Sequence, residues 1–449
     1  MNQFRTSRRA LLLGAAVVGA SAGAPSLASA TAQPPGGAAA TPVQDILDFI
    51  AAMTPSDGSV ALAQSYADEL GLFSTAFVYD SAVAVCAALA GGSTALAQRI
   101  GDGLLFAQDH DPDYDDGRLR QAYNVRPYTF YDGSVNPWGL VRADGFANIG
   151  WQFGFLGTAV GDMAWPGMAL LQLHHATGDT RYLAGAQRIG DWIIDRATNP
   201  GALGGFRFGV NAADAPVPNV STEHNVDCIA FFRMLRAAAP DPRWTAAQQR
   251  AEDLVHEMWQ PDGGYFYTGS NDGDTINRHP LPLDPQTWGW LSMRDPRYAR
   301  ALDWARSALA VTDSSGGADS QLPAGVTVSG VTFSSASKTT TASYNGIPAA
   351  RQGVWLEGTS QLACALNNRS RGQDRARAAL LLRQVEIART HLGAGQHVGG
   401  APVTGGVVAA SSLLDTGFGF GYFQVQHVGA SGWAVLAATR SNPMWAGQL

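Results

Sequence analysis

Two kinds of apolar stretch alternate along this chain. Ala82 to Leu89 is apolar at every position, whereas the stretch from Arg181 to Ala197 sets Arg181, Gln187, Arg188 and Asp191 along one side. A helix apolar all round is buried on every side, and a half-polar one lies at the surface. The two kinds occur as pairs, each with an acidic start, an apolar helix, a tight break, an amphipathic helix and a Gly/aromatic loop. In the clearest copy, after Asp162, Met163 to His175 is the first helix, Thr177-Gly178-Asp179 the break, Arg181 to Ala197 the second helix and Gly204-Gly205-Phe206 the loop. The next copy starts at Glu223, with helices from Asp227 to Ala238 and Thr245 to Trp259 around the break Pro240-Asp241-Pro242, and the loop Asp262-Gly263-Gly264-Tyr265. Further copies start at Asp80, Asp284 and Glu357, and a last inner helix follows His427-Val428-Gly429-Ala430. Starts roughly 60 to 80 residues apart suit large helical hairpins with elaborate loops.

Six such hairpins predict an inner ring of helices wrapped by an outer ring. Short breaks make the partners antiparallel, so the inner helices share one direction and their N-termini gather at one mouth. Two long loops, Asp109 to Gly161 and Ser314 to Gly353, are rich in Gly, Ser, Thr and aromatics, and Gly325 to Phe333 alternates like a short β-hairpin through Val326, Val328, Val331 and Phe333. The expected class is all-α, an (α/α)6 toroid with a small β-hairpin at the mouth.

Residues 1–30 change the picture of location. Arg8-Arg9 precede a short apolar run that falls below the ~20 residues needed to span a bilayer, and Leu27-Ala28-Ser29-Ala30 has the small-residue pattern of a cleavage site. This reads as a twin-arginine signal, an address for export of folded cargo to the cell envelope or beyond. Residues 31–42, with Pro34-Pro35-Gly36-Gly37, read as a flexible leader, and 43–449 as one catalytic domain, because no second linker interrupts it. Removing the signal removes Arg5, Arg8 and Arg9 and no acid, taking the formal charge from −7 to −10. With one lysine, Lys338, and no basic cluster beyond the signal, the chain has no footprint for a phosphate backbone. Nucleic acid and, after cleavage, a membrane are not expected partners; a monomer is. Cys86, Cys228 and Cys364 are odd in number and have no C-x-x-C spacing, which argues against a metal knuckle or a disulfide framework.

Tyr79-Asp80, Gly161-Asp162-Met163-Ala164-Trp165, Ser221-Thr222-Glu223-His224-Asn225, Asp284-Pro285-Gln286-Thr287-Trp288 and Trp355-Leu356-Glu357-Gly358-Thr359 together resemble the six-hairpin (α/α)6-barrel glycoside hydrolase superfamily over about residues 43 to 440. The resemblance implies a sugar-binding cleft at the mouth and paired acids from inner-helix starts that cleave a glycosidic bond. The chemistry needs one protonated carboxyl for the leaving oxygen and one carboxylate to drive water or attack the sugar. The acids proposed for that work are Glu223 and Glu357, with Asp80 or Asp284 assisting. Glutamate caps helices poorly and Ser221 is already a competent cap, so Glu223 needs another reason to be there. Capping is the simpler account of Asp162 and, before Pro285, of Asp284, and it competes with a site role for Asp80.

Tyr79, Trp138, Trp151, Trp165, Tyr265, Tyr267, Trp288 and Trp355 could offer flat faces to sugar rings, although core packing is the plainer role for a tryptophan. His224, Asn225, Gln286 and His427 could bind sugar hydroxyls. No cofactor or metal is expected. The run Asp109, Asp111, Asp113, Asp115, Asp116 alternates like a calcium loop but lacks the glycine and closing glutamate of an EF-hand, and Asp113-Tyr114-Asp115-Asp116 matches the short D-x-D-D string of proton-initiated terpene cyclases. Two other readings stay open. A polysaccharide lyase would use Arg126, Arg142, Arg278 and Arg351 for a uronate, and a glycan-binding toroid would have no chemistry.

Overall fold

In the computed structural model, which describes residues 42–56, 58, 60–150 and 154–449, the fully apolar stretches form one closed ring. Twelve helices are described: α1 (Val43–Met53), α2 (Val78–Ala90), α3 (Thr94–Asp109), α4 (Val160–Thr177), α5 (Thr180–Ala197), α6 (Thr222–Ala238), α7 (Pro242–Glu257), α8 (Asp284–Met293), α9 (Arg300–Ala308), α10 (Leu356–Arg369), α11 (Asp374–His391) and α12 (Val428–Thr439). The even-numbered helices pack in the cyclic order α2, α4, α6, α8, α10, α12 and back to α2, and α3, α5, α7, α9 and α11 each back onto the inner helix before them. The sixth outer helix comes from the other end of the chain: α1 packs on α12 and completes the last hairpin. The expected export signal, most of the leader and Trp151 lie outside the described residues. Among the described residues no helix is long and apolar enough to cross a membrane.

Two outer helices, α5 and α7, start on side-chain caps: Asp179 accepts from the Arg181 N–H and Asp241 from the Arg243 N–H, the latter with Pro242 at the first helical position. Most inner helices start differently. The N–H groups of Val78, Val160, Thr222, Leu283, Leu356 and Val428 donate to the carbonyls of Gln121, Phe208, Thr268, Phe333, Ala409 and Ser65, so every inner helix enters on a backbone bond to a mouth loop. The residues at the N-cap positions of α2, α4, α8 and α10 make no side-chain cap. Asp80, Asp162 and Asp284 are therefore not caps, contrary to that expectation; they lie within the first turn, where the helix dipole favours a carboxylate. Helix α6 starts at Thr222, earlier than its apolar text suggests, with Ser221 capping the His224 N–H.

The centre of the ring is filled. Trp165 of α4, Trp288 of α8, Trp433 of α12 and Tyr79 of α2 meet with ring centroids 5.1 to 6.0 Å apart, all fully buried. Each buried aromatic removes roughly 150–250 Å² from water, worth several kcal/mol at about 25 cal/mol per Å². At the opposite end of the ring from the mouth, the C-terminal segment crosses the helix ends. Asn442 Nδ2 and Trp445 Nε1 donate to the Leu291 carbonyl, Gln172 donates to Pro443 and Trp445 carbonyls, and Arg233 lies over the Trp445 ring at 3.8 Å while donating to the Met444 carbonyl. Burial and the neighbouring Arg294 pull Arg233 down to about 10. At the mouth a small hairpin does form, but Gly325 to Phe333 supplies only its second strand, Thr327–Val331, which pairs antiparallel with Ala310–Ser314; several two-residue ladders that the sequence pattern does not reveal accompany it.

Candidate active site

Four of the expected site residues come together. Tyr79 and Asp80 are in the first turn of α2, Glu357 in the first turn of α10, and His427 is the N-cap of α12. The Tyr79 hydroxyl donates to Glu357 Oε1 at 2.5 Å, His427 Nε2 lies 3.2 Å from Asp80 Oδ1, and His427 Nδ1 lies 3.8 Å from Glu357 Oε2. Nδ1 also accepts the Ala430 N–H at 3.3 Å, which makes it the unprotonated nitrogen and places the ring proton on Nε2 toward Asp80. Tyr66 stacks on the imidazole at 4.2 Å, nearly parallel. Gln361, one turn after Glu357, donates to the same Oε1 at 3.2 Å.

Glu223 and His224 occupy the first turn of α6, with the His224 ring 4.8 Å from Phe208 and pressed against α4 at Gly161, where a Cβ would fall 2.6 Å from His224 Cδ2. At 7 % and 5 % exposed, Glu223 and His224 are the least buried of the expected acids and histidines at inner-helix starts, against 2 % for Glu357 and 0 % for Asp284. Asp284 is the first residue of α8.

Other expected site residues do different work. Asn225 accepts the Phe206 N–H at 2.8 Å and donates to the carbonyls of Phe206 and Ser221; Gln286 accepts the Phe266 N–H at 2.8 Å and donates to the carbonyls of Phe266 and Pro282. Both amides are fully buried and spent on backbone, so they clamp loops rather than face a sugar. Trp165 and Trp288 fill the bore, and Trp355 is buried between Phe333 and Tyr422, so none of the three shows a face to a ligand in this conformation. Tyr265 packs on Trp304 of outer helix α9, and Trp138 is exposed on the first long loop with Arg142 at 5.8 Å.

The aspartate run is neutralised from within. Arg120 is bonded to Asp111 and Asp113, and Arg118 to Asp116 and Asp214 at 2.6 and 2.8 Å. Burial works against the Asp116 charge, but the hydrogen bond and charge of Arg118 hold its carboxyl below the usual range. Two buried guanidiniums stand where a calcium reading would put the ion, and among the described residues no three His, Cys, Asp or Glu groups converge as metal ligands. The arginines a lyase would gather are engaged separately: Arg126 on the Ala52 carbonyl, Arg142 on Asp144, Arg351 on the Thr340 carbonyl and Arg278 over the Tyr267 ring.

Sequence reasoning missed Tyr66, Gln361 and Trp433. Gln361 follows Glu357 at helical spacing and was readable on that ground; Tyr66 and Trp433 reach the site only through the closure of the ring.

No family model and no curated protein sequence matches the chain. Solved structures do. A glycosidase with bound glucose aligns with a TM-score of 0.55 at 13% identity, covering 89% of this chain and 95% of that one. The cellobiose 2-epimerase of Spirochaeta thermophila aligns at 0.56 and 12% identity over 88% and 93%, and a D-mannose isomerase at 0.55 and 11% identity over 88% and 94%. The fold is thus the (α/α)6 toroid that glycosidases, cellobiose 2-epimerases and a mannose isomerase share.

Proposed function

We propose that this chain is an exported glycoside hydrolase that works at the toroid mouth with Glu357 as general base and Glu223 as general acid. The observation that carries this reading is the bond between Tyr79 of α2 and Glu357 of α10, because it measures how narrow the bore is at the mouth. Those two helices are two places apart in the ring, with α12 between them. Glu223 and Glu357 are also two places apart, with α8 between them. Packed helices lie roughly 8–10 Å apart, so a two-place step in a six-membered ring is roughly 16 Å between axes. An inverting enzyme holds its two carboxyls roughly 6.5–9.5 Å apart with a water between them, and the proposal puts Glu223 and Glu357 in that relation across α8.

The roles follow from the surroundings. Glu357 accepts two hydrogen bonds on Oε1, which favours its ionised form and suits a base that activates water. Glu223 is the less buried of the two, which suits the acid that must reach the leaving sugar. Asp80 orients His427 beside the base, and Asp284 adds negative charge under the developing cation. The relatives of this fold support a carbohydrate substrate, since one is a glycosidase holding glucose and others act on cellobiose or mannose by name. A reducing-end assay over cell-wall and storage glycans tests the reading. Sugar release is expected from the wild type and a loss of roughly 100-fold or more from folded Glu223→Gln and Glu357→Gln; full activity in both would remove the assignment.

A second reading has its own observation. His427 lies between Asp80 and Glu357, and an imidazole held that way can shuttle a proton at a sugar carbon, as epimerisation or isomerisation requires. Exchange of a carbon-bound sugar proton with solvent, without new reducing ends, would favour it.

A further inference from the structure

Seven large apolar side chains are exposed among the described residues, and five of them, Tyr131, Val135, Trp138, Val141 and Phe146, fall within the first long loop. Single exposures scattered over a surface are ordinary, whereas a concentration of them marks a contact surface. The loop is built rather than loose. Tyr128–Thr129 pairs with Val135–Asn136, Val141 bridges Ala147, and Trp138 stands between these two small hairpins. Two asparagines fix the backbone beneath it: Asn136 Nδ2 donates to the Trp138 and Arg126 carbonyls at 3.0 and 3.2 Å, and Asn148 Nδ2 donates to the Gly139 carbonyl at 2.9 Å and to Asn136 Oδ1 at 3.1 Å. Both asparagines are buried, while Trp138 is 39 % exposed. A tryptophan held open on a backbone fixed in this way is a preformed platform, on which a ligand stacks with little loss of freedom in the protein.

The platform stands beside the entry to the candidate site. Its base joins Ala122–Asn124, which pairs with Thr75–Phe77, the strand that runs into α2, and the Asn124 N–H donates to the Asn148 carbonyl at 2.8 Å. Three extended residues put that base about 10 Å from the start of α2, whose first turn carries Asp80. One sugar ring cannot touch both places; a chain of linked sugars can. Beside the indole, the Arg142 guanidinium lies 5.8 Å from the ring centroid and 2.5 Å from Asp144, a pair whose charges cancel and which offers donors and an acceptor together. An aromatic ring takes the C–H face of a sugar, and such a pair takes its hydroxyls. Asp132 and Asp144 outnumber Arg142 on the two turns, so a polyanion is repelled. The core of a stable protein interface is depleted of charge, and here the charges lie between the apolar residues.

We propose that the Trp138–Phe146 platform binds a neutral polysaccharide chain at the rim of the toroid, so that the substrate is a polymer rather than a free monosaccharide or disaccharide. That the bound chain is also the one cleaved rests on the hydrolase reading above; the binding itself does not.

The test is calorimetric binding to the full chain carrying Glu357→Gln, so that the ligand is not consumed. The probes are soluble β-glucan, xylan and mannan, with cellobiose, xylobiose and mannobiose as their short counterparts and polygalacturonate as the charged one. One neutral polymer is expected to bind more tightly than its disaccharide and than polygalacturonate. Trp138→Ala is expected to weaken that polymer roughly three- to tenfold, as loss of one aromatic contact does, and so to narrow the gap to the disaccharide; Phe146→Ala is a second, independent variant, and Leu380→Ala, exposed on α11, is the control that leaves the polymer affinity unchanged. Equal polymer affinity in the control and both platform variants, a preference for polygalacturonate, or self-association of the chain that Trp138→Ala abolishes would each overturn the platform. Trp138-dependent polymer binding with no sugar released by the wild type would overturn the hydrolase reading alone.

Discussion

His427 does three things with one ring. It caps α12 by accepting the Ala430 N–H, it meets Asp80 with its other nitrogen, and its face is held by Tyr66. The space for this is made by Gly429, where a Cβ would fall 2.6 Å from Asp80 Oδ1 and 2.8 Å from His427 Cε1. Gly429→Ala must therefore push the pair apart. Overpacking of this kind costs typically about 1–3 kcal/mol, and a misplacement on the order of 1 Å lowers turnover by roughly tenfold to 100-fold. Urea midpoints and turnover measured side by side, with Gly316→Ala as the control in open space, check this. A folded Gly429→Ala with full activity would show that the Asp80–His427 contact is dispensable. At this same scale the sequence shows which side chains can make directed bonds but not which partner consumes them. Asn225 beside Glu223 reads as a sugar ligand until Phe206 is seen to occupy its amide.

Each inner helix is an entry device as much as a core element. Its first N–H is tied to a loop carbonyl, and in α6 and α8 an amide in the first turn also exchanges both its groups with the backbone of a phenylalanine, Phe206 or Phe266. Those clamps bind the mouth loops to the ring. Gln286→Ala leaves the Phe266 N–H and carbonyl without that partner, at a cost of about 1–3 kcal/mol for a buried group left unsatisfied. The expected result is a lower urea midpoint with little change in turnover once folded; an unchanged midpoint would deny the clamp its role. Most helices were legible because a helix buried on all sides has to be apolar all round, as Ala82 to Leu89 is. Helix α1 was not, since its partner α12 lies at the far end of the chain and no adjacency in sequence announces the pair. The two-residue strands left no alternation long enough to read.

For the whole molecule, closure of the ring decides what the site is. The Trp433–Tyr79 bond and the His427–Asp80 contact join the last inner helix to the first, and neither exists without the toroid. The same closure places α6, which carries Glu223, and α10, which carries Glu357, on either side of α8. The proposed site is thus a property of the assembled ring, while the acids proposed for it are visible one by one in the sequence. The most direct measurement is proton NMR, in heavy water, of the wild-type protein with the glycan that responds in the reducing-end assay, reading the first-formed anomer and any deuterium at C2 of the sugar. The account predicts new reducing ends released with inverted anomeric configuration and no deuterium at C2; a retained configuration in the first-formed anomer, or deuterium at C2, would contradict it.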